Sequence, residues 1–404
     1  MSTANEDYRD AALRNLVDLR RYSAGLVTRI ERLLALADSE LAELLNAKLP
    51  RFEGKQLELN FNSEEWRTLI FRIRDDRAAV MKELKAIVNP ELPELAKLEA
   101  GRELATLASA LPVEIGLQVV SLDQLRAIVS SRPFHGRLLR DWFQNLEAVD
   151  RGRITQALQI GMYQGEPTPQ IVRRLIGTKA AGYSDGILSA TRRDATAIVR
   201  TATNHVSNVA RSYVWDANAD IILVKVWTST LDGRTSAICR ARDGHAVPVG
   251  GRALPPEVPA LVPATATPPA HINCRSTFLA VVSPEGLIGN RPFVVDTRTP
   301  DKRRVDFRKE ARGTGKTEKQ VRDAWNAQNI GRVPATTTYQ DFLTRQSKSF
   351  QDEVLGPTRG KLFRTGKIKL DEYVDRRGNE LTLSQLAQRK PEAFRAAGLA
   401  LPPP

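Results

Sequence analysis

Both cysteines of the 404-residue chain, and two of its four histidines, fall between residues 239 and 274. The first group is Cys239-Arg-Ala-Arg-Asp-Gly-His245; the second, past a proline-rich stretch, is His271-Ile-Asn-Cys274-Arg. Thiolate and imidazole are donors that zinc prefers, so Cys239, His245, His271 and Cys274 form a candidate structural site with two cysteines and two histidines. His-x-x-Cys has the close spacing of a metal knuckle, whereas Cys-x5-His is looser than the usual gap. The same residues allow two other readings. Either thiol could serve as a nucleophile, with His271 or His205 as base and Asp232 orienting it. Alternatively, His271 and Cys274 are buried loop anchors hydrogen-bonded to backbone, and Cys239 is a small core residue. Spacing alone leaves all three open.

The elements that must position these residues are legible around them. Thr191 to Ala217 reads as one helix, with Ala195, Ile198, Ala202, His205, Val209 and Tyr213 on an apolar face. Arg193, Arg200, Asn204 and Arg211 form a polar face beside it, and Asn218 stops it. His205 therefore points toward the core. Ile221 to Thr230 reads as a strand, Asp232-Gly233 as a turn and Thr235 to Arg242 as a short helix carrying Cys239. Ala246 to Val249 and Ser276 to Val282 read as further strands, joined by an extended loop containing Pro255 to Pro269.

Upstream, apolar spacings of three and four predict helices over Tyr8–Leu49, Ser63–Val88 and about Glu94–Leu111, separated by Pro50, Pro90 and Pro93. Shorter helices follow at Leu122–Ser130, capped by Ser121, at about Gly136–Leu158 and at Gln170–Ile176. His135, in the turn Ser-Arg-Pro-Phe-His-Gly, reads as a turn residue. Beyond Pro284 the pattern is less regular, with a helix near Glu318–Gln328 and a last one at Ser384–Lys390 announced by Thr382 and Gln385. The expected class is α+β and predominantly helical: a helical assembly region over 1–112, an α+β module with a small sheet over 113–288, and a basic region over 289–404.

Hydrophobic residues at 42% and charged residues at 26% exclude wholesale disorder. The N-terminal MSTANEDYRD has neither the basic nor the apolar part of a secretory signal. The most apolar stretch, Leu104 to Val120, is broken by Pro112 and Glu114, so a soluble protein with no membrane contact is expected. Two cysteines do not make a disulfide scaffold and suggest folding in a reducing cytoplasm. Most of the net charge of +13 lies after residue 288. Such an excess suits contact with a polyanion, most often nucleic acid, or an ordinary solvated surface. Gly313-Thr-Gly-Lys-Thr317 imitates the end of a phosphate-binding loop, but Glu310 stands where its first glycine belongs and no apolar strand precedes it.

Taken in order, VRTATNHVSNVAR, KVWTSTLDGRTSAICRARDGHAVPVGG and PPAHINCRST resemble the Mu F-like head morphogenesis proteins, minor head proteins of phages. The resemblance rests on Arg200, Thr201, Trp227, Asp232, Arg234, Thr235, Cys239, Asp243, Gly244, His271, Cys274 and Arg275. The flanking runs RPFHGRLLRDWFQNL, ITQALQIGMYQGE and SFQDEVLGPTRGKLFRTG extend it over about 113–390. It implies a structural component of the phage head at the portal vertex, assisting assembly and DNA packaging or delivery, with no established enzymatic activity. Implied partners are the portal protein, the major capsid or scaffold protein, and DNA through the basic C-terminal region. Implied locations are the virion and, during assembly, the host cytoplasm. His245 is not a fixed histidine of the family pattern. That leaves Cys239, His271 and Cys274 as a shared trio for a structural zinc, with His205, Asp232 or water as fourth ligand. A metal-dependent or thiol hydrolase built on the same module is the alternative.

Overall fold

The computed structural model describes residues 4–53, 61, 63–111, 116–222, 224–250, 267–282 and 290–402. Most of the proline-rich loop expected over 255–269 lies outside the described residues. Helix α1 (Ala4–Lys48) ends where Pro50 removes a backbone donor, and a 3-10 turn over Leu49–Phe52 follows. Helix α2 (Glu64–Val88) starts at Ser63, whose hydroxyl accepts from the Trp66 amide. Helix α3 (Glu91–Ala110) begins before Pro93 rather than after it, because a first-turn proline forfeits no helical hydrogen bond. The next helices are α4 (Leu122–Ser131), with a capping box between Ser121 and Gln124, α5 (Leu139–Tyr163) and α6 (Thr168–Ile176).

Helix α7 (Leu188–Ala217) is the axis of the protein. It packs against α1, α3, α4, α5 and α6 and also touches the sheet. Ala195, Ala202 and Ala210 are buried in the same core as Ala96 and Ala100 of α3, and such small side chains allow helix axes to approach closely. Asn218 ends α7 by donating to the carbonyls of Val214 and Gln118.

Strand β1 (Val224–Thr228) leads into the two-residue β2 (Leu231–Asp232), then α8 (Ala237–Arg242), β3 (Ala246–Pro248) and β4 (Thr277–Val281). An antiparallel sheet of order β3-β1-β4 results, with Trp227 opposite Phe278. Their rings meet edge to face at 5.5 Å and both are buried. The predominantly helical α+β class is as the sequence implies.

The C-terminal part holds elements the sequence reading left irregular. Strand β5 (Asn290–Val294) pairs parallel to β2 and antiparallel to β6 (Ile330–Pro334). Pro292 is tolerated inside β5 because β2 pairs only with Phe293 and Val294. Helix α9 (Pro300–Thr314) buries only Ala311, so no apolar face announces it. It is specified by its ends: Thr299 caps it, Pro300 opens it and Gly315 closes it at φ 68°. Thr317 then caps α10 (Glu318–Asn329), so the Gly-Thr-Gly-Lys-Thr run is a helix–helix corner. Helices α11 (Tyr339–Thr344), α12 (Lys348–Leu355), α13 (Pro357–Arg364), α14 (Leu383–Arg389) and α15 (Pro391–Ala396) complete the chain. Their core includes Leu231 beside Tyr339, Phe342 and Phe363, so the last segment packs on the middle one.

Arg77 ties the helical part together. Its guanidinium, 2% exposed, donates to Asp150 at 2.8 and 3.1 Å and to Asp38 at 3.0 Å, and Asp38 also accepts from Arg192 at 2.5 Å. One buried charge network thus links α1, α2, α5 and α7. Removing one member strands the others without water, which typically costs about 3–5 kcal/mol. Arg77→Met should lower stability by about that amount in thermal or denaturant unfolding; an unchanged midpoint would refute the role given to Arg77.

Candidate functional site

Three of the four expected ligands converge. The Sγ atoms of Cys239 and Cys274 lie 3.6 Å apart, and His271 Nε2 lies 3.3 Å from the sulfur of Cys239. The donor atoms of all three fall within 4.8 Å of one another. The cysteines are 1% and 4% exposed and both thiols are free. Around a tetrahedral zinc, with bonds of about 2.3 Å to sulfur and about 2.0 Å to nitrogen, two sulfurs stand about 3.8 Å apart and sulfur and nitrogen about 3.5 Å apart. Cys239 therefore stands at zinc-ligand spacing from both Cys274 and His271.

The imidazole is oriented for that task. Its Nδ1 lies 2.8 Å from the carbonyl oxygen of Ile272, which holds the proton there and turns the Nε2 lone pair toward the sulfurs. Ser236, at the start of α8, reaches the same Nε2 at 2.7 Å. Its contact with Cys274, and burial with it, push the Cys239 thiol up. Cys274 is pulled down: it accepts from Cys239 and, against the effect of burial, is also stabilised by His271. Burial works against a charged His271, but Cys274 outweighs it and raises the imidazole.

His245 is not in the group. It follows Gly244, which turns the chain at φ 83°, and its backbone carbonyl accepts from the Trp227 amide at 2.8 Å at the edge of β1. Its place in the sheet keeps it out of the cluster. Asp232 is also unavailable as a ligand, since Arg275 takes its oxygens at 2.5 and 2.8 Å. Burial disfavours that carboxylate's charge, yet Arg275, the Arg234 amide and the Thr235 hydroxyl hold Asp232 below its ordinary range.

Helix α7 delivers the second half of the site. Thr201 Oγ1 accepts from the Asn273 amide at 2.9 Å, and Asn204 donates to the carbonyls of Cys274 at 2.9 Å and Ser276 at 3.2 Å. Asn208 accepts from Thr277 and Phe278, while Arg211 donates to Thr277 and to the Phe278 carbonyl. The sequence reading had Asn204 and Arg211 on a polar face, but Arg211 and Asn208 are 4% and 2% exposed. That stripe binds the backbone of the loop and of β4. Its signal was the spacing Thr201, Asn204, Asn208, Arg211, a polar ridge at intervals of three and four.

The first half rests on Ser229 and Asp243. The Ser229 hydroxyl donates to the Cys239 carbonyl at 2.8 Å and meets the Ser276 hydroxyl at 3.1 Å. Asp243 accepts from the amides of Ser229 and Tyr339, both at 2.6 Å, and pairs with Arg291 at 2.8 Å. Trp227 packs under Arg242, whose guanidinium lies 5.3 Å from the ring. Cys239 and Cys274 are thus brought face to face by two independent frames.

With this geometry in place, the comparison with known families becomes specific. Residues 151–279 match the family described as Phage Mu protein F like protein. This stretch is a Mu F-like domain. The match supports a likeness to Mu F-like phage head morphogenesis proteins over that stretch. It ends inside β4, so α7, the trio and the sheet all fall within the domain. No curated protein and no solved structure matches the chain.

His205 lies elsewhere in the Mu F-like domain. Its ring packs 5.4 Å from that of Phe134, and it is 7% exposed with no partner for Nε2 among the described residues. His135, at φ 50° in the neighbouring turn, lies close to both His205 and His271. Burial pulls His205 down to about 4. A base depressed in the folded state stabilises fully above its unfolded value near 6.5 and loses that contribution as pH falls toward 4. The loss amounts to roughly 3 kcal/mol across that window. His205→Leu should flatten the decline in stability between pH 6.5 and 4 in unfolding curves; an undiminished decline would contradict this.

Proposed function

We propose that the chain is a structural component of the phage head, acting at the portal vertex and assisting head assembly and the packaging or delivery of DNA. The observation that carries this reading is the Mu F-like match over residues 151–279. Two structural features support it. The long helices α1 and α3 pack on α7, α2 packs on α1 and α5, and Leu36 and Phe71 are left exposed at 60% and 72%, which suits an assembly surface. Helices α9 and α10 form an exposed hairpin in which basic side chains outnumber acidic ones, stiffened where Phe307 meets Trp325 at 5.7 Å. That hairpin is the DNA-facing part of the C-terminal region, and the portal, with the major capsid or scaffold protein, is the protein partner. The virion is the resulting location. Among the described residues no helix is long and apolar enough to cross a membrane.

Within this role the trio is a brace. A zinc ion on Cys239, His271 and Cys274 would staple α8 to the returning loop. The burial of both sulfurs favours this over a hydrolase, which needs its nucleophile or metal-bound water open to substrate. The functional reading is tested by co-expressing the full-length chain with the portal protein of the same phage. A complex that survives affinity purification and size-exclusion chromatography is expected. Separate elution at micromolar concentration, together with absence of the chain from purified heads, would overturn the reading.

A further inference from the structure

Of the arginines near Asp232, Arg275 alone serves the brace. Arg275 is paired with Asp232, and the Arg234 amide donates to the same carboxylate at 3.1 Å. Arg20 of α1 arrives from the other side, donating to Thr230 Oγ1 at 3.1 Å. Arg200 precedes Thr201, which holds Asn273, and Arg200 and Asn273 line one groove. Arg303 of α9 completes the set, its guanidinium 4.9 Å from the Trp325 ring. Burial and Arg275 pull Arg234 down; Asp232 opposes, and Arg303 and Arg200 add to the pull, which places all of them within electrostatic reach. Burial and Arg275 do the same to Arg20.

Of these five guanidinium groups only Arg275 has an ion-pair partner among the described residues, Asp232. Arg20, Arg200, Arg234 and Arg303 have no ion-pair partner among the described residues, which makes their assembly unfavourable without an anion. From Arg200 a groove of about 620 Å³ runs along α7 past Arg193, but Glu31 and Asp301 line it too and Arg192 in it is paired with Asp38, so the positive excess stays with the cluster rather than following the groove. Arg303 carries that excess to the base of the α9–α10 hairpin.

Resting on the reading of the chain as a DNA-handling head protein, we propose that the arginine cluster around Asp232 binds the phosphodiester backbone of nucleic acid. Arginine rather than lysine throughout suits this, because the planar guanidinium fork matches phosphate oxygens. Four guanidinium groups without ion-pair partners around one carboxylate match the closely spaced phosphates of a nucleic-acid backbone better than an isolated acidic side chain. The site belongs to the Mu F-like domain and its α1 and α9 neighbours, apart from the tip of the basic hairpin.

The test uses the full-length protein and a 30-base-pair duplex, with affinity measured across a series of salt concentrations. Arg200→Glu/Arg234→Glu alters two exposed side chains, and an unchanged melting temperature establishes that it folds. Its affinity should fall at least tenfold, with a salt slope shallower by about two, since each phosphate contact contributes about 0.9. The hairpin variant Lys309→Glu/Lys316→Glu should produce a separate loss that adds to it. Undiminished affinity and slope in Arg200→Glu/Arg234→Glu would overturn the proposal, whichever way the hairpin variant behaves. So would absence of DNA binding by the unaltered protein. Loss of portal binding with DNA binding intact would assign the cluster to an acidic protein surface instead.

Discussion

The carboxylate of Asp243 is the constraint on which the architecture turns. It is buried and takes four donors: the amides of Ser229 and Tyr339 and two nitrogens of Arg291. Those donors come from the end of β1, the start of α11 and β5. A buried charge of this kind is stable only when fully met, so three distant pieces of chain must assemble at once. Asp243 also terminates α8, which fixes the helix carrying Cys239. Nearby Arg9 shows the opposite case, its three nitrogens buried without partners among the described residues and its guanidinium pKa pulled down by burial to about 10.

Asp232 repeats the device on a smaller scale. By clasping Arg275 it fixes the residue next to Cys274, while its own turn is closed by Thr235. Asp232 and Asp243 thus hold the two sides of the trio, and α7 pins the loop between them through Thr201 and Asn204. This explains why a run of charged and small polar residues surrounds two cysteines. Most of the motif is framework for the loop, and its surplus arginines are what remain for a partner.

The sequence carried much of this. Apolar spacing announced the helices of the first two hundred residues, and Ser63, Ser121 and Thr382 were readable as caps because capping is a local interaction. The trio was visible because cysteine and histidine are scarce. Three things were hidden. The α9 helix buries almost nothing and has no apolar period to read. The strands β5 and β6 owe their existence to pairing with each other and with β2, far away in sequence. Finally, linear spacing admitted His245 as a ligand, though more loosely than His271, and the placement of Gly244 beside β1 sets it apart. Arg211 looked like a surface residue for a related reason, since its partners on β4 are distant in the chain.

The brace is the central claim, and metal content measures it most directly. Full-length protein purified without chelator should carry one zinc per chain. Stripping that zinc should unfold the Mu F-like domain, and Cys274→Ser should lose both the metal and the fold. Protein that is fully folded without zinc, or that releases zinc with no change in thermal stability, would contradict the account.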